Sequence, residues 1–141
     1  ATGSVDRKVI DAQPQEFPRG DERRTGKPYR YAYAMPLARG GHEFVSETHL
    51  IKHDLVDGSR QLHDFGAHRY PGEFVFVPRG PDAAEDDGWL MGLVINMDTQ
   101  TTDLVILDAQ EFDSLPEAVI TLPHRVPPGF HGNWVGAEKS V

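Results

Sequence analysis

Seven histidines stand in a chain that has no cysteine, so any metal held here would meet imidazole and carboxylate donors and no thiolate. His49 and His53 have the i, i+4 spacing of a helical zinc pair, but the glutamate of an H-E-x-x-H motif is missing. Their segment also alternates like a strand, where residues four apart lie roughly 13 Å from each other. Both are read as ordinary surface positions. His42, His63 and His68 fall in polar, glycine-rich connections and are read the same way. His124, after Leu122-Pro123, is read as a structural hydrogen-bonding residue.

His131 has a different setting, Val126-Pro127-Pro128-Gly129-Phe130-His131-Gly132-Asn133-Trp134. Prolines stiffen the approach and glycines on both sides remove steric bulk, which suits a ligand needing a fixed backbone and close access. On local grounds alone, packing or turn chemistry is the commoner explanation of such a histidine. Glu16 and Glu73 are each followed by apolar residues, and a carboxylate near an apolar interior needs a partner. One suitable partner is the N–H of a metal-bound imidazole, whose orientation a carboxylate fixes. The alternative is a rim-exposed glutamate at a strand start. Nucleophile elbows, phosphate loops and dinucleotide fingerprints are absent. The run Glu85-Asp86-Asp87 lacks the alternating ligands of a calcium loop and is read as a solvated hairpin.

The elements that must position these groups are strands. Short β-branched and aromatic runs bounded by turn residues predict strands at 29–35, 49–55, 60–65, 73–77, 88–97, 102–107 and 118–122. The stretch 108–115 is too short and punctuated for more than a turn of helix. A weak repeat organises them: Glu16-Phe17-Pro18-Arg19-Gly20 is echoed by Glu73-Phe74-Val75-Phe76-Val77-Pro78-Arg79-Gly80. The glutamates are 57 positions apart, and His131 follows Glu73 by 58. A period near fifty suggests propeller blades of about four antiparallel strands, with starts near 16, 73 and 131 and an irregular or disordered lead-in over 1–15. Two such blades cannot close a ring. The competing explanation is a chance recurrence of short motifs in a β-sandwich.

Composition narrows the function. In 141 residues, 22 acidic side chains face 14 basic ones, for a net charge of −8. That balance speaks against a nucleic-acid surface, which needs a clustered basic stripe. No apolar run approaches the ~20 residues of a transmembrane helix, and no secretory pattern is present. Together with the absence of cysteine this fits a cytoplasmic location.

The motifs taken together resemble the carotenoid cleavage oxygenase family, which includes bacterial lignostilbene dioxygenases and the retinal pigment epithelium retinoid isomerase. The matching pieces are Glu16-Phe17-Pro18-Arg19, Gly26-Lys27-Pro28-Tyr29-Arg30-Tyr31-Ala32-Tyr33, Tyr70-Pro71-Gly72-Glu73 through Pro78, Glu85-Asp86-Asp87-Gly88-Trp89-Leu90, 104–110 and 123–134. They occur in family order and span nearly the whole chain. The resemblance implies a seven-bladed β-propeller with ferrous iron, Fe(2+), on its axis, held by four histidines. It implies that this chain is a C-terminal piece of about two blades, with His131 as the last iron ligand. Glu73 and Glu16 would be glutamates that bond ligand imidazoles. The other three ligands have no counterparts here, and Pro128 departs from the bulky residue common in relatives. The implied reaction of the intact enzyme uses O2 to cleave a carbon–carbon double bond of a carotenoid, apocarotenoid or stilbene into two carbonyl products. The isolated chain is then expected to be inactive. Two alternatives stand beside this reading: a non-catalytic β-module that binds or self-associates, and a small cupin-like protein with its own histidine-metal site.

Overall fold

The computed structural model describes residues 3–38 and 47–137; His42 lies outside them. Among the described residues, eight strands form two antiparallel sheets of four, each a simple meander. The first sheet contains β1 (Gln15–Arg19), β2 (Tyr31–Pro36), β3 (His49–Asp54) and β4 (Arg60–Asp64). The second contains β5 (Arg69–Pro78), β6 (Gly88–Asn96), β7 (Thr101–Asp108) and β8 (Ala118–Leu122). A single 3-10 turn, Glu22–Arg24, follows β1, and residues 3–14 carry neither helix nor strand. No helix among the described residues is long and apolar enough to cross a membrane.

The sheets meet face to face because alternate side chains of facing strands are apolar. Tyr33 and Leu50 from the first sheet meet Phe74, Phe76, Leu90, Val94, Val105 and Leu107 from the second, with Ala109 and Phe112 closing the end. Tyr33 stacks on Phe76 with ring centroids 6.0 Å apart and 7° between planes. Burying one such side chain contributes about 1.5–3 kcal/mol, so this layer dominates the stability of the pair. The other face of the second sheet carries Trp89, Met91, Leu93, Leu104 and Ile106, all only partly covered.

Each sheet begins with an interrupted strand. The β1–β2 register breaks between Glu16 and Arg19, and the β5–β6 register breaks between Pro71 and Phe74. A bulge adds a residue to one strand and re-aims its side chains. The recurring glutamates therefore sit at corresponding irregularities, Glu16 at the edge of one and Glu73 within the other. At the first break Phe17 adopts φ 54, a left-handed conformation that costs a non-glycine residue about 1–2 kcal/mol. Phe17 is nonetheless buried.

Three sequence expectations are corrected here. His53 is buried and shares a 2.8 Å hydrogen bond with Gln15 Oε1, and is no surface residue. Alternation misleads because β3 is buried on both faces, Leu50 and Lys52 on one and Ile51 and His53 on the other. His63 lies on β4 and is buried, its Nδ1 2.9 Å from the Phe112 carbonyl oxygen, so it belongs to the core and not to a polar connection. Burial pushes the pKa of each imidazole below the ordinary histidine value. The acidic run is no solvated hairpin either. Glu85 accepts the backbone N–H groups of Arg30 and Tyr31, and Asp86 takes the buried Lys52 Nζ at 3.0 Å. Lys52 also donates to the Ala109 carbonyl at 2.7 Å and lies over the Tyr31 ring. These carboxylates bind one sheet to the other. Of the remaining histidines, His49 is half-buried at the start of β3, and His68 pairs with Asp98 at 2.8 Å in an exposed turn.

Candidate functional site

Beyond β8 the chain runs through residues 123–137 without helix or strand, and from residue 127 onward it is exposed. Specific polar contacts therefore fix its course. The carboxylate of Glu73, presented by the β5 bulge, makes the two at His131 and Gly132. Its Oε1 accepts from His131 Nδ1 at 3.0 Å and from Arg19 Nε at 2.8 Å; its Oε2 accepts the Gly132 N–H at 2.7 Å. The Glu73 side chain is only 7% exposed, against 72% for His131. Burial would raise the carboxyl pKa, but the hydrogen bonds from Arg19, Gly132 and His131 outweigh it and hold the group below the ordinary glutamate value. Glu73 is thus an anion that can only accept, which leaves the proton on His131 Nδ1. In the neutral ring Nε2 then keeps its lone pair, and no described residue bonds it.

The first sheet supplies the rest of the support. Phe17 sets its ring edge-on to the His131 imidazole, centroids 5.5 Å apart at 86°. Arg19 Nη2 donates to the Gly132 carbonyl at 2.6 Å, and Glu22 accepts from Arg19 Nη1 at 3.2 Å and from Asn133 Nδ2 at 3.1 Å. The strained bulge of β1 thereby delivers both a ring and a guanidinium to the segment that carries the histidine. Beside His131 lies an open apolar cavity of about 410 Å³, lined among others by Val75, Met91, Leu93, Leu104, Phe130 and Trp134.

Of the residues singled out in the sequence, Glu73 and His131 are brought together. Glu16 is half-buried at its own bulge, has no hydrogen-bond partner among the described residues and is not bonded to His131. Phe17 and Arg19 were missed as individuals, although the repeated Glu-Phe-Pro-Arg segment contains both. Arg19 and Gly132 are 113 positions apart, a separation no local pattern spans.

A carboxylate that holds one ring nitrogen while the other stays free is how metal-binding histidines are commonly oriented. An imidazole nitrogen is a donor that suits ferrous iron. His131 fits as one ligand. Among the described residues no group of three histidine, aspartate or glutamate side chains could hold a metal ion.

The fold and this site define an all-β protein built from two face-packed sheets, presenting one carboxylate-oriented imidazole beyond its last strand. Comparison with known proteins gives the family. The chain belongs to the carotenoid cleavage oxygenases: the Retinal pigment epithelial membrane protein family profile matches residues 1–136. It is 42% identical over 137 residues to a carotenoid cleavage oxygenase of Mycobacterium tuberculosis, covering 95% of this chain and 27% of that protein. It is 37% identical over 134 residues to the apocarotenoid-15,15'-oxygenase of Synechocystis, again covering 95% and 27%. The crystal structure of a cobalt-substituted Synechocystis apocarotenoid oxygenase superposes with a TM-score of 0.84 at 34% identity, over 95% of this chain and 28% of that one. The chain thus spans little more than a quarter of the length of these relatives.

Proposed function

We propose that this chain is the C-terminal portion of a seven-bladed propeller enzyme, a non-haem Fe(II) dioxygenase that cleaves a carbon–carbon double bond of a carotenoid, apocarotenoid or stilbene with O2. The observation that carries the reading is the hydrogen bond between His131 Nδ1 and Glu73. It assigns the proton to one nitrogen and leaves the other free for a metal, an arrangement with no evident purpose in a packing or turn residue. Family membership and the two bulged glutamates support the same reading.

When bound, iron supplies the oxygen chemistry of the cleavage. The residues of this chain have other tasks. His131 contributes one of four imidazoles. Glu73 holds the Nδ1 proton and so fixes ring tautomer and orientation. Glu16, whose carboxylate has no partner among the described residues, is assigned to an imidazole from an earlier part of the protein. Phe17 covers one flank of the ring, and the apolar lining of the neighbouring cavity keeps that side of the histidine from being fully hydrated.

Expressing the coding sequence with its upstream extension, and incubating the product with carotenoid, apocarotenoid and stilbene substrates, tests the activity. Two carbonyl products per substrate are expected from the extended protein and none from residues 1–141 alone. Turnover by residues 1–141 alone would contradict the division of the iron site. The partly bare outer face of the second sheet, with Ile120 beside Leu104 about half exposed, favours a second reading in which the isolated chain self-associates. Sedimentation of the same preparation measures that.

A further inference from the structure

Arg19 lies at the end of the β1 break, and its three guanidinium nitrogens bond three different segments. Nε donates to Glu73 on β5, Nη2 to the Gly132 carbonyl, and Nη1 to Glu22 in the 3-10 turn. A ring of bonds closes here: Arg19 to Glu73, Glu73 to the Gly132 N–H, and the Gly132 carbonyl back to Arg19. Gly132, the residue next to His131, is therefore gripped through both of its flanking peptide groups. Nothing in the secondary structure of residues 123–137 would do this, because they join no sheet.

The repeat sharpens the point. Arg79 follows Pro78 as Arg19 follows Pro18, yet it bonds Asp87 and Asp108 beside its own sheet and stacks over Trp89. Only the first arginine of the repeat crosses to the other sheet and to the histidine segment. A general tie between sheets is already provided by Arg23, which bonds Asp21 and the Gly80, Pro81 and Ala84 carbonyls without touching residues 131–134.

We propose that Arg19 is a positioning residue for the iron site: its guanidinium clamps the Gly132 peptide and the Glu73 carboxylate together and so sets the orientation of His131. The proposal rests on the reading of His131 as a ligand for its functional meaning, but its geometry is a property of this chain alone. Arg19 touches neither metal nor substrate. It acts through Glu73 and Gly132, and it does so by the shape of its fork. A lysine carries its three N–H donors on one nitrogen and lacks the planar fork that here reaches acceptors in three directions.

The test uses the 141-residue chain labelled with 15N, at about pH 8.5, roughly two units above the ordinary histidine pKa. Long-range proton–nitrogen spectra report the tautomer of His131, and hydrogen exchange reports the Gly132 amide. In the wild type we expect His131 to hold its proton on Nδ1 and the Gly132 amide to be protected. Arg19→Met and Arg19→Lys should both return His131 to the tautomer mixture of an exposed histidine and speed Gly132 exchange about tenfold or more, the loss of a charge-assisted hydrogen-bond network. Arg23→Gln should lower stability while leaving both signals in place. Retention of the Nδ1 tautomer and of Gly132 protection in Arg19→Met overturns the proposal. Rescue by lysine overturns the role of the fork. A wild type lacking the Nδ1 tautomer removes the Glu73–His131 pairing itself, and the proposal with it.

Discussion

Gly92 faces Phe74 across the β5–β6 ladder, and Phe74 is the residue after Glu73. A methyl group placed on Gly92 would sit 2.4 Å from Phe74 Cδ2 and 2.6 Å from Cγ and Cε2. Ordinary contact needs about 3.5–4.0 Å, so the ring must move by about 1 Å or more. Phe74 is 2% exposed and packed among the core residues between the sheets, which leaves it nowhere to go. Overpacking of this kind costs about 1–3 kcal/mol. Against that, alanine is favoured over glycine in a strand by roughly 0.5–1 kcal/mol through chain entropy. The expected net effect of Gly92→Ala is a loss of about 1–2 kcal/mol, measured by urea unfolding followed through Trp89 and Trp134 fluorescence. Phe74→Leu removes ring atoms and makes room, so the double variant should lose less than the sum of the two single changes. Because the displaced ring adjoins Glu73, the His131 signals should shift in Gly92→Ala as well. Stability within about 0.5 kcal/mol of wild type, the range of ordinary surface changes, would refute the packing argument.

Two further outcomes are expected. The Tyr33 hydroxyl is buried without a hydrogen-bond partner among the described residues, and burial pushes its pKa up. Tyr33→Phe should thus leave stability unchanged or raise it by about 1 kcal/mol, since an unpaired buried hydroxyl costs about 1–3 kcal/mol; a clear loss in thermal melts would count against this. Asp54 is held at about 2, first by the Arg30 hydrogen bond and then, against desolvation, by the Val56 and Asp57 N–H groups. Its folded pKa lies below the unfolded value, so its stabilising contribution is complete above about pH 4. That contribution is lost as the pH falls towards 2, and Asp54→Asn should make the decline in melting temperature over this interval shallower than in wild type, Glu73 and the other paired carboxylates keeping the remainder.

The strands were legible where alternation and turns coincide, as at Ala118–Leu122, which the sequence pattern bounds as the structure does. β5 was foreshortened to 73–77 because Pro71 and Gly72 look like a terminator, whereas they mark a bulge inside a strand running from Arg69 to Pro78. His53 and His63 were misplaced because polar residues in a short strand suggest a wet face. Covering of both faces by distant segments leaves no periodic trace. The acidic run failed for a related reason: Glu85 and Asp86 find their partners about 55 and 34 positions away. Within the site, the spacing of Glu73 and His131 was visible and their contact was not. Arg19 was hidden entirely, since its importance lies in which chain segments it joins.

We propose His131 as one ligand of an iron site that this chain does not complete. Iron bound per chain, measured by elemental analysis after anaerobic loading and gel filtration, tests this most directly. About one iron is expected in the upstream-extended protein, a loss of nearly all of it in the extended His131→Ala variant, and no tightly held iron in residues 1–141. Stoichiometric iron in residues 1–141, or undiminished iron in extended His131→Ala, would contradict it.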